Sequence, residues 1–325
     1  MTRISLVLLC LVGLNLPANA AGEYKLPGFG EGNAVSLNQE YYLGRAWLMS
    51  FRRQAPIVDD ALLQDYVENL VYRLVVSSQL RERRLEIVLV NNKTINAFAV
   101  PGGVVGIHTG LIAKAENEAQ LGSVLTHELA HLSQRHFARG LEVQQRSSTA
   151  ALAGLLGGLV AIAAGAGDAG MAAVMGGQAA GRDSQLRYSR QFEQEADRIG
   201  MQNQAAAGLD PGGAAGMFTV MLADSRNYGS RPPEFLQTHP LTEKRIADAR
   251  NRAAGYPKRI YQDNQEVQLM RARVEVSFFD DSDAAVSHFR AQRAKGGKQA
   301  VSAQYGLILA LTANDEFAEA RALLK

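Results

Sequence analysis

Apolar residues recur every three or four positions from Asn38 to about Arg53, and again from Asp59 to about Leu80, with charged residues between them. Each stretch predicts an amphipathic helix. The pattern changes at Leu85. Leu85–Val90 and Ala97–Ile107 are runs rich in β-branched residues, separated by Asn91-Asn92 and interrupted by Pro101-Gly102-Gly103. These are strand and turn signals, and they predict a small mixed or antiparallel sheet. Helical spacing returns at Glu116 with Leu121, Val124, Leu125, Leu129 and Leu132, predicting a helix to about Arg139 that stops at Gly140. A further helix is predicted from about Gln185 to Ala207, ending near Gly208 and Pro211. The class these elements imply is α+β, mainly helical.

Two regions depart from that alternation. Ser147 to Gly181 is dominated by Gly and Ala, and Ala150 to Gly167 carries no Lys, Arg or Glu, raising a membrane span as one reading. Gly and Ala contribute little transfer energy, so a packed hairpin or mobile flap over a cleft is the favoured expectation, with membrane contact through 150–180 as another. Beyond about Tyr256 the pattern is helical, and Ala285 and Phe289 fall 35 residues before Ala320 and Leu324. A small residue four before a large apolar one, at a period near 34, is a tetratricopeptide-like signal. The repeats are expected over 256–325, in an array either incomplete at Lys325 or completed by another surface.

Composition narrows the class. The chain is 47% hydrophobic and 20% charged, with 34 basic against 32 acidic residues and no long run of either sign. That is globular composition without a basic patch, so nucleic acid is not expected as a partner. The first twenty residues have a charged start at Arg3, an apolar run from Ile4 to Leu16 and a small-x-small end at Ala18-Asn19-Ala20. This is the layout of a cleaved secretory signal. Cys10, the only cysteine, lies inside it, so the mature chain is expected to lack cysteine and to use no disulfide.

The densest chemistry is in "THELAHLSQRH", Thr126 to His136. On a helix His127 and His131 are about 400° apart, so both imidazoles leave one face as two ligands of one tetrahedral zinc must. Glu128, about 100° round from His127, lies where it can deprotonate the water that a catalytic zinc acidifies to a pKa of about 7. His136 follows His131 by about 500°, leaving the ligand face by about 140°, and reads as a structural histidine at the surface or helix end. A catalytic zinc takes a third protein ligand. "YSRQFEQEADRIG" offers Glu193, Glu195 and Asp197. Glu193 and Asp197 share a helix face, with Glu195 about 200° from Glu193. With Glu193 on the metal, Asp197 would be placed to accept the free ring N–H of a ligating histidine. His239 precedes Pro240, which keeps it out of a helix interior. It is a candidate oxyanion donor, or a fourth zinc ligand that excludes water in a self-inhibited resting state. His108 and His288 read as structural.

H-E-L-A-H at 127–131, "SRQFEQEADRIG" at 189–200 and "THPLTEKRI" at 238–246 together resemble the gluzincin metallopeptidases of the CAAX prenyl protease and HtpX type. The resemblance covers the chain from about Asn38 onward. With the leader and the repeat-like tail it points to periplasmic members that assist outer-membrane β-barrel assembly. It implies a zincin-like peptidase domain over 21–255, one Zn2+ per chain, Glu193 as third ligand and Asp197 as an active-site carboxylate. Several obvious membrane spans are missing, so prenylated substrates are not implied, and the repeat region is short for the assembly-assisting members.

The function expected is therefore a zinc endopeptidase of the Gram-negative periplasm, acting on misfolded or stalled outer-membrane barrel precursors. The strand at Asn96 to Pro101 is a candidate edge for an extended substrate segment, and the barrel-assembly machinery a candidate partner for the repeats. A repeat-based assembly chaperone with a structural or vestigial zinc is the rival reading; Glu128 weighs against it. An intramembrane protease anchored through Ala150 to Gly167 is a weaker one.

Overall fold

The computed structural model describes residues 36–142, 189–226, 234–262 and 264–324. The predicted signal segment 1–20, the whole Gly/Ala-rich stretch and the start of the helix predicted from Gln185 lie outside these residues. Among them, no helix is long and apolar enough to cross a membrane.

Helix α1 (Leu37–Arg52) begins at Ser36, whose hydroxyl accepts the Gln39 amide while the Gln39 side chain accepts the Ser36 amide. This capping box satisfies two amides that the first turn leaves unpaired. Helix α2 (Ala61–Val76) is capped by Asp60 and ends at Ser77 rather than at Leu80. The Ser78 hydroxyl donates to the Val75 carbonyl and competes there with the helical pattern, although Leu80 still reaches the core.

Strands β1 (Glu86–Val90), β2 (Ala97–Val100) and β3 (Val104–His108) form a mixed sheet in the order β1-β3-β2. β3 pairs parallel to β1 and antiparallel to β2. The β2–β3 hairpin turns at Pro101-Gly102-Gly103, where both glycines hold φ near +84°, at 85° and 83°. Alternation along the strands divides the sheet's two faces: Ile87, Leu89, Val105 and Ile107 enter the main core, and Val88, Val90 and Val104 pack with Trp47, Leu48 and Phe51 of α1. Burial on both faces explains why Ile87–Val90 reads as one continuous apolar run.

A short helix α3 (Thr109–Lys114) leads to α4 (Glu118–Ser133), capped by Asn117. The helix predicted to run to Arg139 breaks instead at Gln134-Arg135, where Arg135 takes φ 53°, and resumes as α5 from 136. Both Nε and Nη2 of Arg135 donate to Glu40 Oε1, a residue of α1 that is itself buried, so the break is held from across the molecule.

Helix α6 (189–206) ends at Gly208, which holds φ 82°. It crosses α4 through small residues, Ala130 against Ala196, while a side chain at Gly200 would press against the backbone of Thr126 and His127 at 3.0–3.1 Å. Helices α7 (Gly213–Ser225), α8 (Glu234–Thr238) and α9 (Glu243–Ala254, capped by Thr242) complete this part.

The remaining helices are α10 (Gln265–Val276), α11 (Ser282–Ala294), α12 (Ala300–Ala313) and α13 (Phe317–Ala322). Ala285, Phe289, Leu307, Ala310, Leu311 and Ala320 make their own core, with the Phe289 ring lying over Gly306. Leu324, the counterpart of Phe289 in the expected repeat, is 71% exposed. Helix α10 has two buried faces: Ala272 joins that core, and Val267, Met270 and Val274 enter the main one.

Candidate metal centre

Helix α4 presents His127 and His131, separated by one turn, with Glu128 beside them. The close α4–α6 crossing carries Glu193 and Asp197 to the same face, and the chain between α8 and α9 delivers His239. One donor atom each from His127, His131, Glu193 and His239 converge, all lying within 4.8 Å of one another. His127 Nε2 is 3.0 Å from His131 Nε2 and 3.3 Å from His239 Nδ1. Glu193 Oε2 and Oε1 lie 3.4 Å from His127 Nε2 and from His131 Nε2, and Oε1 is 3.0 Å from His239 Nδ1.

These separations allow a test for a metal. A tetrahedral zinc with bonds of about 2.0–2.1 Å spaces its ligand atoms about 3.3 Å apart, and the observed contacts of 3.0–3.4 Å match that edge. Charge agrees. Glu193 and Asp197 face a single permanent cation, Arg245, so a divalent cation that displaces the proton otherwise held on His127 would offset the excess carboxylate charge. The residues present fit a divalent metal.

The outer side of His127 is also occupied. Asp197 Oδ1 lies 3.0 Å from His127 Nδ1, and Asp197 receives Arg245 Nε and Nη2 at 2.7 and 2.8 Å. The same guanidinium reaches Glu193 Oε2 at 3.0 Å and donates to the Pro240 carbonyl at 2.8 Å. Arg245 therefore ties the distal carboxylate, the partner of His127 and the loop behind His239 together. The motif "THPLTEKRI" contains this arginine, but its role depends on the Thr242 cap, which starts α9 so that Arg245 turns inward.

His136, expected at the surface or a helix end and off the ligand face, does stand at a helix end, opening α5, but it is neither at the surface nor turned away. It is 6% exposed, and its Nδ1 lies 2.9 Å from His131 Nδ1. An offset of about 140° from the ligand face holds only along an unbroken helix; the left-handed Arg135 breaks α4 and re-aims the next turn. Glu195, about half a turn from the ligand face, meets His136 Nε2 at 3.2 Å. His108 is buried elsewhere beside Thr94, and His288 is exposed on α11.

Burial and charge pull the titrating groups apart. Burial would lower His127, but Asp197 and Glu193 outweigh it and push it up to about 10. Burial takes His131 down to about 3 in spite of Glu193. Glu193 is held well below the carboxylate range, because hydrogen bonds from His127, His131 and His239 overcome its burial. Glu128 goes the other way. It is 1% exposed, burial raises it against the pull of His239 and His127, and its Oε1 has no hydrogen-bond partner among the described residues. His239 Nε2 stands 3.5 Å from that oxygen. A buried carboxylate poised above its normal range beside a metal-ligand cluster is the chemistry of a general base.

The cluster lies at the wall of a cleft of about 530 Å³ lined by Phe98 and Ala99 of β2, Pro101 of the following turn, and Glu128, His131 and His239. Among the described residues, no strand pairs with the outer side of β2.

Peptidase family M48 matches residues 61–253. The putative beta-barrel assembly-enhancing protease of Vibrio cholerae serotype O1 is 38% identical over 325 residues, covering 98% of this chain and 67% of that protein. The beta-barrel assembly-enhancing protease of Escherichia coli K12 is 38% identical over 324 residues, covering 99% and 66%. The mitochondrial metalloendopeptidase OMA1 of Schizosaccharomyces pombe is 30% identical over 185 residues, 56% of this chain and 50% of its own. The chain spans about two thirds of the length of the two bacterial relatives. With the family match over most of the folded region and a metal-ligand cluster beside a buried carboxylate, the chain belongs to peptidase family M48 and is a metalloprotease.

Proposed function

We propose that this metalloprotease is a zinc endopeptidase of the Gram-negative periplasm that cleaves misfolded or stalled outer-membrane β-barrel precursors. The observation that carries the reading is the convergence of His127, His131, Glu193 and His239, with one donor atom each within 4.8 Å of the others, beside the buried Glu128. His127, His131 and Glu193 would hold one zinc per chain. When bound, zinc supplies Lewis acidity to water and to the scissile carbonyl. Glu128 takes the proton from the attacking water and then gives it to the leaving amine; its raised proton affinity suits both transfers. Asp197 fixes the His127 tautomer through Nδ1.

His239 turns Nδ1 toward the ligand cluster and Nε2 toward Glu128. This supports the resting fourth-ligand role over a simple oxyanion donor, because an imidazole there displaces water and occupies the base. Substrate lies extended along the β2 edge, where backbone pairing admits unfolded segments and rejects folded chains. The names of the bacterial relatives support barrel precursors as substrates and the barrel-assembly machinery as the partner of the tail. The tail's tetratricopeptide-like character, a secretory signal at 1–20, the domain division at 255/256 and a lid or membrane contact at 150–180 remain parts of the same proposal.

The test is casein cleavage and zinc content on one preparation. Full zinc with cleavage that disappears on Glu128→Gln supports the reading; cleavage that persists in that variant contradicts it.

A further inference from the structure

The two histidines of α4 are held differently, and the difference assigns work to residues outside the ligand set. His127 leans on a carboxylate directly, through Asp197. His131 turns Nε2 to the ligand cluster, 3.0 Å from His127 Nε2 and 3.4 Å from Glu193 Oε1, and its Nδ1 meets another imidazole, His136 Nδ1, at 2.9 Å. The far nitrogen of His136 reaches Glu195 Oε2 at 3.2 Å, and Arg139 Nη1 holds that oxygen at 2.9 Å.

Resting on the zinc reading, we infer that His136 and Glu195 are positioning residues that fix the tautomer and ring plane of His131. The hydrogen inventory leaves one assignment. An imidazole that binds metal through Nε2 is neutral and carries its proton on Nδ1. His131 Nδ1–H then donates to His136 Nδ1, which must be the bare nitrogen. His136 therefore carries its proton on Nε2 and donates it to the carboxylate of Glu195. Packing fixes the middle ring: His136 stacks on Phe192 at 4.6 Å and 15°, and the Arg139 guanidinium covers Phe192 at 4.7 Å. Both α4 ligands thus end on a carboxylate of α6 held by an arginine, one directly and one through an inserted imidazole.

The experiment measures zinc affinity by competition with a chromogenic chelator, and histidine tautomers by nitrogen-15 NMR, on full-chain zinc-loaded protein. His136→Phe keeps an aromatic ring on Phe192 but removes the acceptor. It should weaken zinc by about 10–100-fold, the usual cost of losing a ligand's outer partner, with the melting temperature of the zinc-free protein unchanged. His136→Gln, which restores an acceptor, should recover most of the affinity. Wild-type spectra should place the proton on Nδ1 of His131 and on Nε2 of His136. Glu195→Gln provides a second variant should His136→Phe fold poorly, with a smaller loss expected. Zinc affinity unchanged in the folded variants, or a proton on Nδ1 of His136, would overturn the assignment. Wild-type protein that takes up no zinc would overturn the metal reading and this inference with it, whereas normal zinc with unaffected variants would overturn this inference alone.

Discussion

The buried interior of the α4–α6 crossing and that of the C-terminal helices are built from opposite materials. Around His127 the enclosed groups are Glu128, Glu193, Arg245 and His136, each 6% exposed or less, satisfied largely by one another. Between α10 and α13 the buried residues are Ala272, Ala285, Val286, Phe289, Leu307, Ala310, Leu311 and Ala320, without a polar side chain among them. Apolar burial is non-directional and tolerates adjustment. Buried charge is costly unless geometry pairs it, so its presence marks a place where stability yields to chemistry. Substitutions in the first region should therefore change metal and turnover, and those in the second should change stability.

The largest effect expected is on Glu128. Glu128→Gln should lower casein cleavage by about 10²–10⁴-fold, the range a general base contributes, with zinc content and melting temperature held. A parallel loss of zinc would erase the distinction between base and ligand. Next, Phe289→Ala should cost about 3–5 kcal/mol of stability, read by urea unfolding, because its ring fills the space over Gly306. Zinc stoichiometry should not change at temperatures where the variant is folded. If it fell, the two interiors would be one cooperative unit, coupled through the two-faced α10.

How much of this was legible in the sequence follows the same division. Periodicity located α1, α2, the strands and the tail helices, because burial of apolar faces is what creates periodicity. His127 and His131 were legible because four residues on one helix fix their relation without tertiary information. Glu193 was one of three carboxylates until the family resemblance singled it out; the crossing that delivers it depends on Ala196 and Gly200, small residues that carry no chemical signal. His136 was misread because a left-handed Arg135 leaves no trace in the spacing of leucines. Its cause, Glu40, lies 95 residues away. Arg245 was quoted within a motif yet unassigned, since a single arginine followed by an apolar residue reads as a solvated helix face.

Two smaller effects sharpen the comparison within the site. Asp197→Asn should weaken zinc by about 10–100-fold in a chelator titration, because an amide cannot hold His127 Nδ1–H and Arg245 as a carboxylate does. An unchanged affinity would show that Arg245 alone orders the cluster. His239→Ala should raise casein cleavage several-fold with zinc retained, since the imidazole facing Glu128 would no longer exclude water. Reduced cleavage with full zinc would return His239 to the role of oxyanion donor.

The central claim is that α4 and α6 together make the metal site, with Glu193 and not Glu195 as the distal ligand. The most direct test is metal content by mass spectrometry on purified wild-type protein beside Glu193→Gln and Glu195→Gln. The account predicts one zinc per chain in wild type, loss of that zinc in Glu193→Gln, and a zinc retained at stoichiometric loading in Glu195→Gln. A wild-type protein without zinc after supplementation, or a Glu193→Gln variant that keeps it, would contradict the account.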